Sequence, residues 1–482
     1  MPQEKSSLFV STIWYTLGNV FLRAVNFLLL PLYSNLISPE DFGVYSLIVS
    51  TYTIIAVVYQ GGLQSSLTKF YLEANNGTGR KNVFSTIINF VTLISLVFTF
   101  VFILFSKDLS YYIAGKSEYY GDFSLIFMAL FFETISFYII HLLRTQELAK
   151  YVLRYLIISG LINFTLNIIF VYFFKYGIRG IILSQLLSAF ILTLLMTPEL
   201  IRNYRFTFDK SLIRNALIFA LPLILGGIFS SMVDVLDRFL INFFRNQEEI
   251  GFYSFAYRFA MVVNLFGISF RTAWLPSSIN KYNDEKYRTY YGKVFNRYLL
   301  ISSVILVLVS IFIDDLFRVN FMGVNLFDKK YIPGLIVIPL LMSGYIFNGV
   351  AGFFAYYPYK SGKSYHFLIS DFIAFSTNLI LNIVLIPISG ILGAAVATFM
   401  AFLVSAVYMM LLSQRNKPIN FDYLSYGKLI LLVIVVLLIS SRVDSIYVDV
   451  VLAFVFCGLS LIVFKEDIRS ILRFEELLNK GD

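Results

Sequence analysis

The sequence Val233-Asp-Val-Leu-Asp-Arg238 places three ionisable residues inside an apolar segment, roughly 212–244, that is long enough to cross a bilayer. Spaced i, i+3 and i+4, Asp234, Asp237 and Arg238 share one face of a helix. An Asp or Arg at the centre of a membrane helix costs at least about 2.5–3.5 kcal/mol, so such residues usually line a pathway for ions or substrate. The alternative is an internal Asp–Arg pair that only holds helices together. We favour the pathway.

The composition indicates a membrane protein. Of the 482 residues 58% are hydrophobic and 14% are charged, whereas a soluble domain has roughly 25% charged residues. The single cysteine, Cys457, cannot form a disulfide within the chain, and two histidines cannot build a histidine cluster for a metal. The net charge of +9 is typical of basic cytoplasmic loops, and we expect no nucleic-acid partner.

Fourteen apolar segments predict an all-α polytopic membrane protein with about 14 transmembrane helices. The segments are 8–33, 42–66, 83–105, 121–143, 151–174, 178–198, 212–243, 249–270, 294–313, 333–357, 365–387, 390–412, 425–441 and 446–464. If the N-terminus is cytoplasmic, the loops on that side carry 26 of the 38 Lys and Arg residues. Cytoplasmic loops are enriched in Lys and Arg, so this bias places both termini in the cytoplasm.

Two short motifs recur in the same order in the two halves of the chain. Asp41-Phe-Gly-Val-Tyr-Ser46 returns as Glu249-Ile-Gly-Phe-Tyr-Ser254, and Asn167 with Gly177-Ile-Arg-Gly180 returns as Asn382 with Gly390-Ile-Leu-Gly393. Parallel repeats with an even number of helices explain both recurrences.

The repeats predict three domains. They are an N-terminal six-helix lobe at 1–205, a C-terminal six-helix lobe at 206–415, and two additional helices with a cytoplasmic tail at 416–482. Apolar residues among the charges of the tail predict an amphipathic helix at 465–480.

The sequence contains buried charge but no motif for nucleotide binding or hydrolysis. Walker A, HExxH, GxSxG and dinucleotide-binding sequences are absent, so we expect a transporter and no enzyme. Arg23, Arg238 and Arg258 come from both halves, and guanidinium groups pair well with phosphate oxygens. Asp234 and Asp237 are candidates for coupling to H⁺ or Na⁺, and we expect no other cofactor.

Further polar residues lie within the predicted helices. Asn19 and Asn26 extend the face of Arg23 in the first helix into a polar stripe. Glu133 and His141 in the fourth helix, and Asp371 in the eleventh, either line the same lumen or reach from helix ends to the interface.

Several motifs together resemble a Wzx-type polysaccharide flippase of the MOP superfamily, which also holds the lipid II flippase and the MATE exporters. The motifs are Thr16-Leu-Gly-Asn19, Pro31-Leu-Tyr-Ser34, Ser38-Pro-Glu-Asp-Phe-Gly-Val-Tyr45, Gly61-Gly-Leu63, Lys69-Phe-Tyr71, Asp237-Arg238, Gly251-Phe-Tyr253, and Asn382 with Gly390-Ile-Leu-Gly-Ala-Ala-Val-Ala-Thr398. The resemblance implies two six-helix lobes arranged in a V that move a lipid-linked oligosaccharide by alternating access. It also implies that Arg23 and Arg258 lie near the substrate pyrophosphate.

The expected substrate is an undecaprenyl-pyrophosphate-linked oligosaccharide, moved across the bacterial cytoplasmic membrane for a capsule, an O-antigen or another exopolysaccharide. Arg23, Arg238, Arg258, Asn19 and Asn26 are the expected substrate-binding residues. A polysaccharide polymerase and a chain-length regulator are expected partners beside the lipid bilayer. The competing hypotheses are a cation-coupled multidrug antiporter of the MATE type and a membrane polymerase or glycosyltransferase.

Overall fold

The computed structural model describes residues 8–74, 76–321, 323–443 and 445–464. The chain divides into two compact units, Met1–Gly251 and Phe252–Asp482. The predicted amphipathic tail at 465–480 lies outside the described residues.

The first unit is helical in its described residues. It contains α1 (Leu8–Leu28), α2 (Leu30–Leu36), α3 (Pro39–Gln60), α4 (Leu63–Glu73), α5 (Gly77–Leu104), α6 (Ser106–Ala114), α7 (Tyr120–Thr145), α8 (Ala149–Asn167), α9 (Gly177–Leu195), α10 (Thr197–Asn203), α11 (Lys210–Phe244) and the start of α12 (Gln247–Asn280). A 3-10 turn, Ser117–Tyr119, precedes α7, and a π-helical stretch, Ile168–Phe173, continues α8.

The second unit is also mainly helical. It contains the rest of α12, then α13 (Tyr287–Leu316), β1 (Asn320–Phe321), β2 (Val324–Asn325), a 3-10 stretch (Lys329–Val337), α14 (Ile338–Phe353), α15 (Tyr356–Ser361), α16 (Tyr365–Asn416), α17 (Tyr423–Ser440) and α18 (Ile446–Val463). The two short strands pair as an antiparallel hairpin, with Asn320 opposite Asn325.

Polar side chains cap the N-termini of helices in the short connections between apolar spans. Ser38 accepts a hydrogen bond from the Asp41 N–H at 3.1 Å before α3, and Pro39 follows at the first helical position. Before α17, the Asp422 carboxylate accepts bonds from both the hydroxyl and the N–H of Ser425. The Ser425 hydroxyl is the main reason why the pKa of Asp422 lies below its ordinary value. These caps satisfy N–H groups that have no partner inside the helix.

The number of membrane spans agrees with the prediction. Twelve helices are long and apolar enough to cross a membrane, and the bent helix α11 provides a thirteenth candidate. The 52-residue helix α16 is interrupted at Gly390, where the backbone has φ 55° and ψ −132°. Counted as two helices, α16 brings the described part of the chain to fourteen candidate spans, and the predicted all-α polytopic fold is confirmed.

The two arms of α16 fold back on each other. Pro387 lacks the N–H that would continue the helix, and Gly390 adopts a positive φ that few other residues tolerate. A Cβ at Gly393 would lie 2.4 Å from the carbonyl oxygen of Leu385, so the arms meet closely beside the turn. Farther along, the hydroxyls of Ser370 and Ser405 form a hydrogen bond of 2.7 Å. Helices eleven and twelve are therefore an antiparallel hairpin.

The seventh helix, α11, packs within the first unit. It lies against α3 and α4, and the Ser66 hydroxyl on α4 donates to the carbonyl oxygen of Ala216 at 2.9 Å. The apolar core beside it includes Leu67, Phe84 and Leu142, all fully buried. The division into lobes at 1–205 and 206–415 stays a prediction, because packing does not report on an internal repeat.

The glycines of the repeated motif lie where two helix starts cross in the first unit. A Cβ at Gly43 would lie 1.9 Å from the carbonyl oxygen of Gln247, and a Cβ at Gly251 would lie 1.9 Å from that of Pro39. Each contacted residue precedes the glycine of its own helix by four positions. The crossing is therefore reciprocal, and both copies of the motif require glycine for the same steric reason.

We expect Gly43→Ala and Gly251→Ala each to lower stability by about 1–3 kcal/mol, because the added methyl group meets a backbone carbonyl that cannot rotate away. Gly427→Ala in α17 is the matched control, since an added Cβ there has nothing within 4 Å. Thermal unfolding of the detergent-solubilised chain measures the difference. Wild-type melting temperatures for both crossing variants would contradict the close contact.

Candidate functional site

The charged residues of α11 form an ion pair within that helix. Arg238 Nη1 lies 2.9 Å from Asp237 Oδ1, and the Arg238 N–H donates to the same oxygen at 2.9 Å. Arg238 Nη1 also donates to the carbonyl oxygen of Asp234. Asp237 is fully buried and Arg238 is 7% exposed, whereas Asp234 is only partly buried. The structure thus brings the predicted residues together and distinguishes an enclosed carboxylate from a more accessible one.

The end of α11 and the start of α12 are both held by the end of α6. Asn242 Nδ2 donates to the carbonyl oxygen of Ile113 at 2.8 Å, and Gln247 Nε2 donates to that of Ala114 at 2.5 Å. Side-chain amides thereby satisfy carbonyl groups at the end of a short helix, where no helical N–H is available. These bonds fix the segment that carries the buried pair.

The polar stripe of α1 lies on a different face from the one that packs against another helix. A Cβ at Gly18 would meet the Leu156 side chain at 2.7 Å, so this side of α1 faces α8. Asn19, Arg23 and Asn26 lie on an adjacent face: both asparagines are exposed and Arg23 is partly buried. A packed face beside a polar face is the pattern expected for a helix that borders an aqueous cavity.

The third predicted arginine belongs to the second unit. Arg258 is partly buried on α12 and directly follows Tyr257, whose hydroxyl accepts a hydrogen bond from Tyr345. Phe255, one turn earlier, stacks on Tyr331 with ring centroids 4.4 Å apart. Buried aromatic side chains therefore fix this part of α12 and hold the backbone of Arg258 in place.

Paired asparagines form a polar cluster in each unit, and only one member of each pair, Asn167 and Asn382, stood out in the sequence. In the second unit Asn382 Nδ2 donates to Asn378 Oδ1 at 2.9 Å, and both residues are fully buried. In the first unit Asn167 Nδ2 donates to Asn163 Oδ1 at 3.1 Å, and Tyr33 donates to Asn167 Oδ1 at 2.8 Å. The i, i+4 spacing of asparagine in both halves was the signal available in the sequence.

A separate cavity of about 590 Å³ lies in the second unit at the start of α13 and the end of α18. Arg288, Lys293 and Asn296 line it together with Asp422. None of the predicted site residues lines this cavity. It is a second polar region, distinct from the charged face of α11.

The fold is one that this chain shares with solved structures of membrane transporters. The chain aligns with the lipid II flippase MurJ in an inward closed conformation, with a TM-score of 0.76, 17% identity, and coverage of 95% of this chain and 99% of that chain. An inward-facing multidrug resistance MATE family transporter of the MOP superfamily aligns with a TM-score of 0.68, 14% identity, and coverage of 82% and 94%. A variant of the Vibrio cholerae MATE transporter VcmN aligns with a TM-score of 0.61, 13% identity, and coverage of 85% and 95%. The predicted MOP-type fold is confirmed.

The chain belongs to the polysaccharide biosynthesis protein family, which its residues 8–279 match. An uncharacterised membrane protein of Methanocaldococcus jannaschii is 22% identical over 515 aligned positions, which cover 97% of each chain. The family match confirms the predicted membership, and the solved structures that share the fold are a flippase and transporters, as predicted for a chain that is not an enzyme.

We expect Asp237→Leu to destabilise the chain by about 3–5 kcal/mol, because it leaves the buried Arg238 guanidinium without its carboxylate. The double variant Asp237→Leu with Arg238→Met should recover most of this loss, since apolar residues of similar volume replace a buried pair at little cost. Asp108→Ala, at an exposed site on α6, is the control and should change stability by less than about 0.5 kcal/mol. Thermal unfolding checks all three, and an unaffected Asp237→Leu would show that the pair contributes nothing to stability.

Proposed function

We propose that the chain is a flippase for undecaprenyl-pyrophosphate-linked oligosaccharide repeat units in the bacterial cytoplasmic membrane. The observation that carries the proposal is its membership of the polysaccharide biosynthesis protein family combined with the fold of a lipid II flippase over 95% of the chain. Sugars and a pyrophosphate cannot cross hydrocarbon unaided, because nothing there replaces their hydration. A polar passage through a helical bundle supplies the missing partners.

The arginines supply the chemistry for the pyrophosphate group. Arg23, Arg238 and Arg258 lie on three different helices, and each of these helices is a candidate membrane span. A guanidinium group binds two phosphate oxygens at once and strengthens its hold when water is excluded. The exposed amides of Asn19 and Asn26 lie beside Arg23 and suit the hydroxyl groups of a glycan.

Coupling to H⁺ or Na⁺ drives the transport cycle. Asp237 stays with Arg238 in the conformation described, and the partly buried Asp234 lies one turn away on the same helix face. A cation that replaces Arg238 beside a carboxylate in one conformation would favour that conformation over the other. Differential binding of a few kcal/mol is enough for alternating access.

The topology and partners follow from the same function. Both termini lie in the cytoplasm, on the side where the lipid-linked precursor is made, and the oligosaccharide leaves on the outer side. There a polysaccharide polymerase and a chain-length regulator would use it to build a capsule, an O-antigen or another exopolysaccharide.

A multidrug antiporter is the second candidate, and its supporting observation is the fold shared with a MATE family transporter at a TM-score of 0.68. Three arginines within spans disfavour a cationic drug, because like charges repel strongly where water is excluded. An anionic lipid headgroup is therefore the better match for this chain.

If Arg23 and Arg258 bind the pyrophosphate, Arg→Ala at either position should weaken binding of undecaprenyl pyrophosphate about 10- to 100-fold, the value of a charged hydrogen bond of roughly 1.5–3 kcal/mol. Arg→Lys should recover part of the affinity, because it restores the charge but not the planar fork. Titration of the lipid into purified protein in detergent measures this, with Arg415→Ala, an exposed arginine, as the control. Unchanged affinity in both alanine variants would argue against a phosphate site at these residues.

If Asp234 and Asp237 carry the coupling, Asp234→Asn and Asp237→Asn should bind the lipid normally and lose the acceleration that an ion gradient gives. Asparagine retains an oxygen that can accept the bonds from Arg238, so the helix should keep its structure. Transport in proteoliposomes under an imposed pH or sodium gradient is the measurement. A wild-type response in both variants would place the coupling at other residues.

A further inference from the structure

One carboxyl group in the first unit is held by neutral partners on two other helices. Glu133 lies near the middle of α7, Tyr52 near the middle of α3, and Gln185 near the middle of α9. Tyr52 donates its hydroxyl hydrogen to Glu133 Oε2, and Gln185 Nε2 donates to Glu133 Oε1 at 3.0 Å. Both carboxylate oxygens are therefore occupied, and both donors are uncharged.

The depth of Glu133 makes this arrangement unusual. Glu133 is the fourteenth of the 26 residues of α7, so roughly 18–20 Å of helix extends on either side of it. Half of a bilayer's hydrocarbon core is about 15 Å thick. In a span centred on the bilayer, the carboxyl group therefore lies near the middle and does not reach the interface, which argues against a snorkelling side chain at this residue.

Other acids enclosed in the first unit have an arginine beside them. Asp122 Oδ1 lies 3.0 Å from Arg179 Nε, and Asp237 Oδ1 lies 2.9 Å from Arg238 Nη1. Within the described residues Glu133 forms no ion pair. An ionised carboxylate at mid-membrane depth without a counter-charge is strongly disfavoured, whereas the neutral acid is not.

The neighbouring elements carry charged and titratable groups, but the hydrogen-bond partners of Glu133 itself are neutral. On α3, Tyr52 donates to Glu133, and the same helix also carries Glu40, Asp41, Tyr45 and Tyr59. On α7 itself Asp122 and His141 lie eleven residues before and eight residues after Glu133, and the helix also carries Tyr120, Tyr138 and Arg144. The other elements packed against α7 carry Lys69, Tyr71 and Glu73 (α4), Arg80 and Lys81 (α5), Lys107, Asp108, Tyr111 and Tyr112 (α6), Glu118 and Tyr119 (the 3-10 turn), Lys150, Tyr151, Arg154 and Tyr155 (α8), and Arg179 (α9).

The geometry suits both protonation states. When Glu133 is ionised, Tyr52 and Gln185 both donate to it, as the atoms are placed. When Glu133 is protonated, its O–H donates to the Tyr52 oxygen while its carbonyl oxygen still accepts from Gln185. Only the Tyr52 hydroxyl hydrogen has to turn away, so the change of protonation requires no movement of the helices.

We propose that Glu133, Tyr52 and Gln185 form a proton-binding site inside the first unit. The inference rests on the proposed function for its purpose, because a proton held at mid-membrane depth is a means of coupling transport to a pH gradient. It is separate from the carboxylates of α11, which lie beside Arg238.

Infrared difference spectroscopy of the full chain in lipid vesicles tests the site with the proton as the probe. The carbonyl stretch of a protonated carboxylic acid appears above the amide bands and disappears on ionisation. We expect a titrating carbonyl band in the wild type that is lost in Glu133→Gln. Tyr52→Phe should shift its frequency, because one hydrogen bond to the acid is removed. Asp108→Asn, at an exposed residue of α6, should leave the band unchanged.

Identical spectra for the wild type and Glu133→Gln over the whole pH range would overturn the proposal. If Glu133→Gln does not fold, the frequency shift in Tyr52→Phe decides, and its absence would be equally decisive against the site. No lipid-linked substrate enters this measurement. A titrating band in a chain that flips no oligosaccharide would refute the proposed function alone, and flipping without the band would refute the proton site alone.

Discussion

The structure depends on one constraint: hydrocarbon offers no partner to a polar group, so the protein has to supply one. For the backbone, this favours the long helices that make up both units. For side chains, it produces small polar clusters, such as Asp237 with Arg238 and Glu133 with Tyr52 and Gln185. Asp237 and Arg238 form a pair within α11, whereas Glu133, Tyr52 and Gln185 link three helices. In the proposed function and the proposed proton site, these clusters also bind a proton, an ion or a phosphate group.

The helices could be predicted from the sequence because hydrophobic length alone marks a membrane span. Even the break between helices eleven and twelve was visible, since Pro387 and Gly390 interrupt an apolar run. The short helices α2, α6 and α15 were not predicted, because a few residues carry no periodic signal. The reciprocal contact of Gly43 and Gly251 could not be predicted either, since the motif repeat marks two similar positions but not that they cross in space.

The residues of the candidate sites were likewise predictable only in part. Charge within an apolar segment is rare enough to single out Asp234, Asp237 and Arg238 directly, and their helical spacing placed them together. The partners of Glu133 could not be found in this manner. Tyr52 and Gln185 are 81 and 52 positions away, and tyrosine and glutamine in a helix carry no signal of their own. The sequence shows which residues are costly to bury in a membrane, whereas only the structure shows the partners that stabilise them.

Translocation of a lipid-linked oligosaccharide by the wild-type chain is the most direct test of the proposed flippase activity. Proteoliposomes would carry a fluorescent undecaprenyl-pyrophosphate-linked oligosaccharide, and a membrane-impermeant quencher would report how much of it reaches the outer leaflet. A flippase of the proposed kind should make inner-leaflet oligosaccharide accessible to the quencher, while an ordinary phospholipid probe stays protected. Protection of the oligosaccharide equal to that in protein-free vesicles, or equal exposure of both probes, would contradict it.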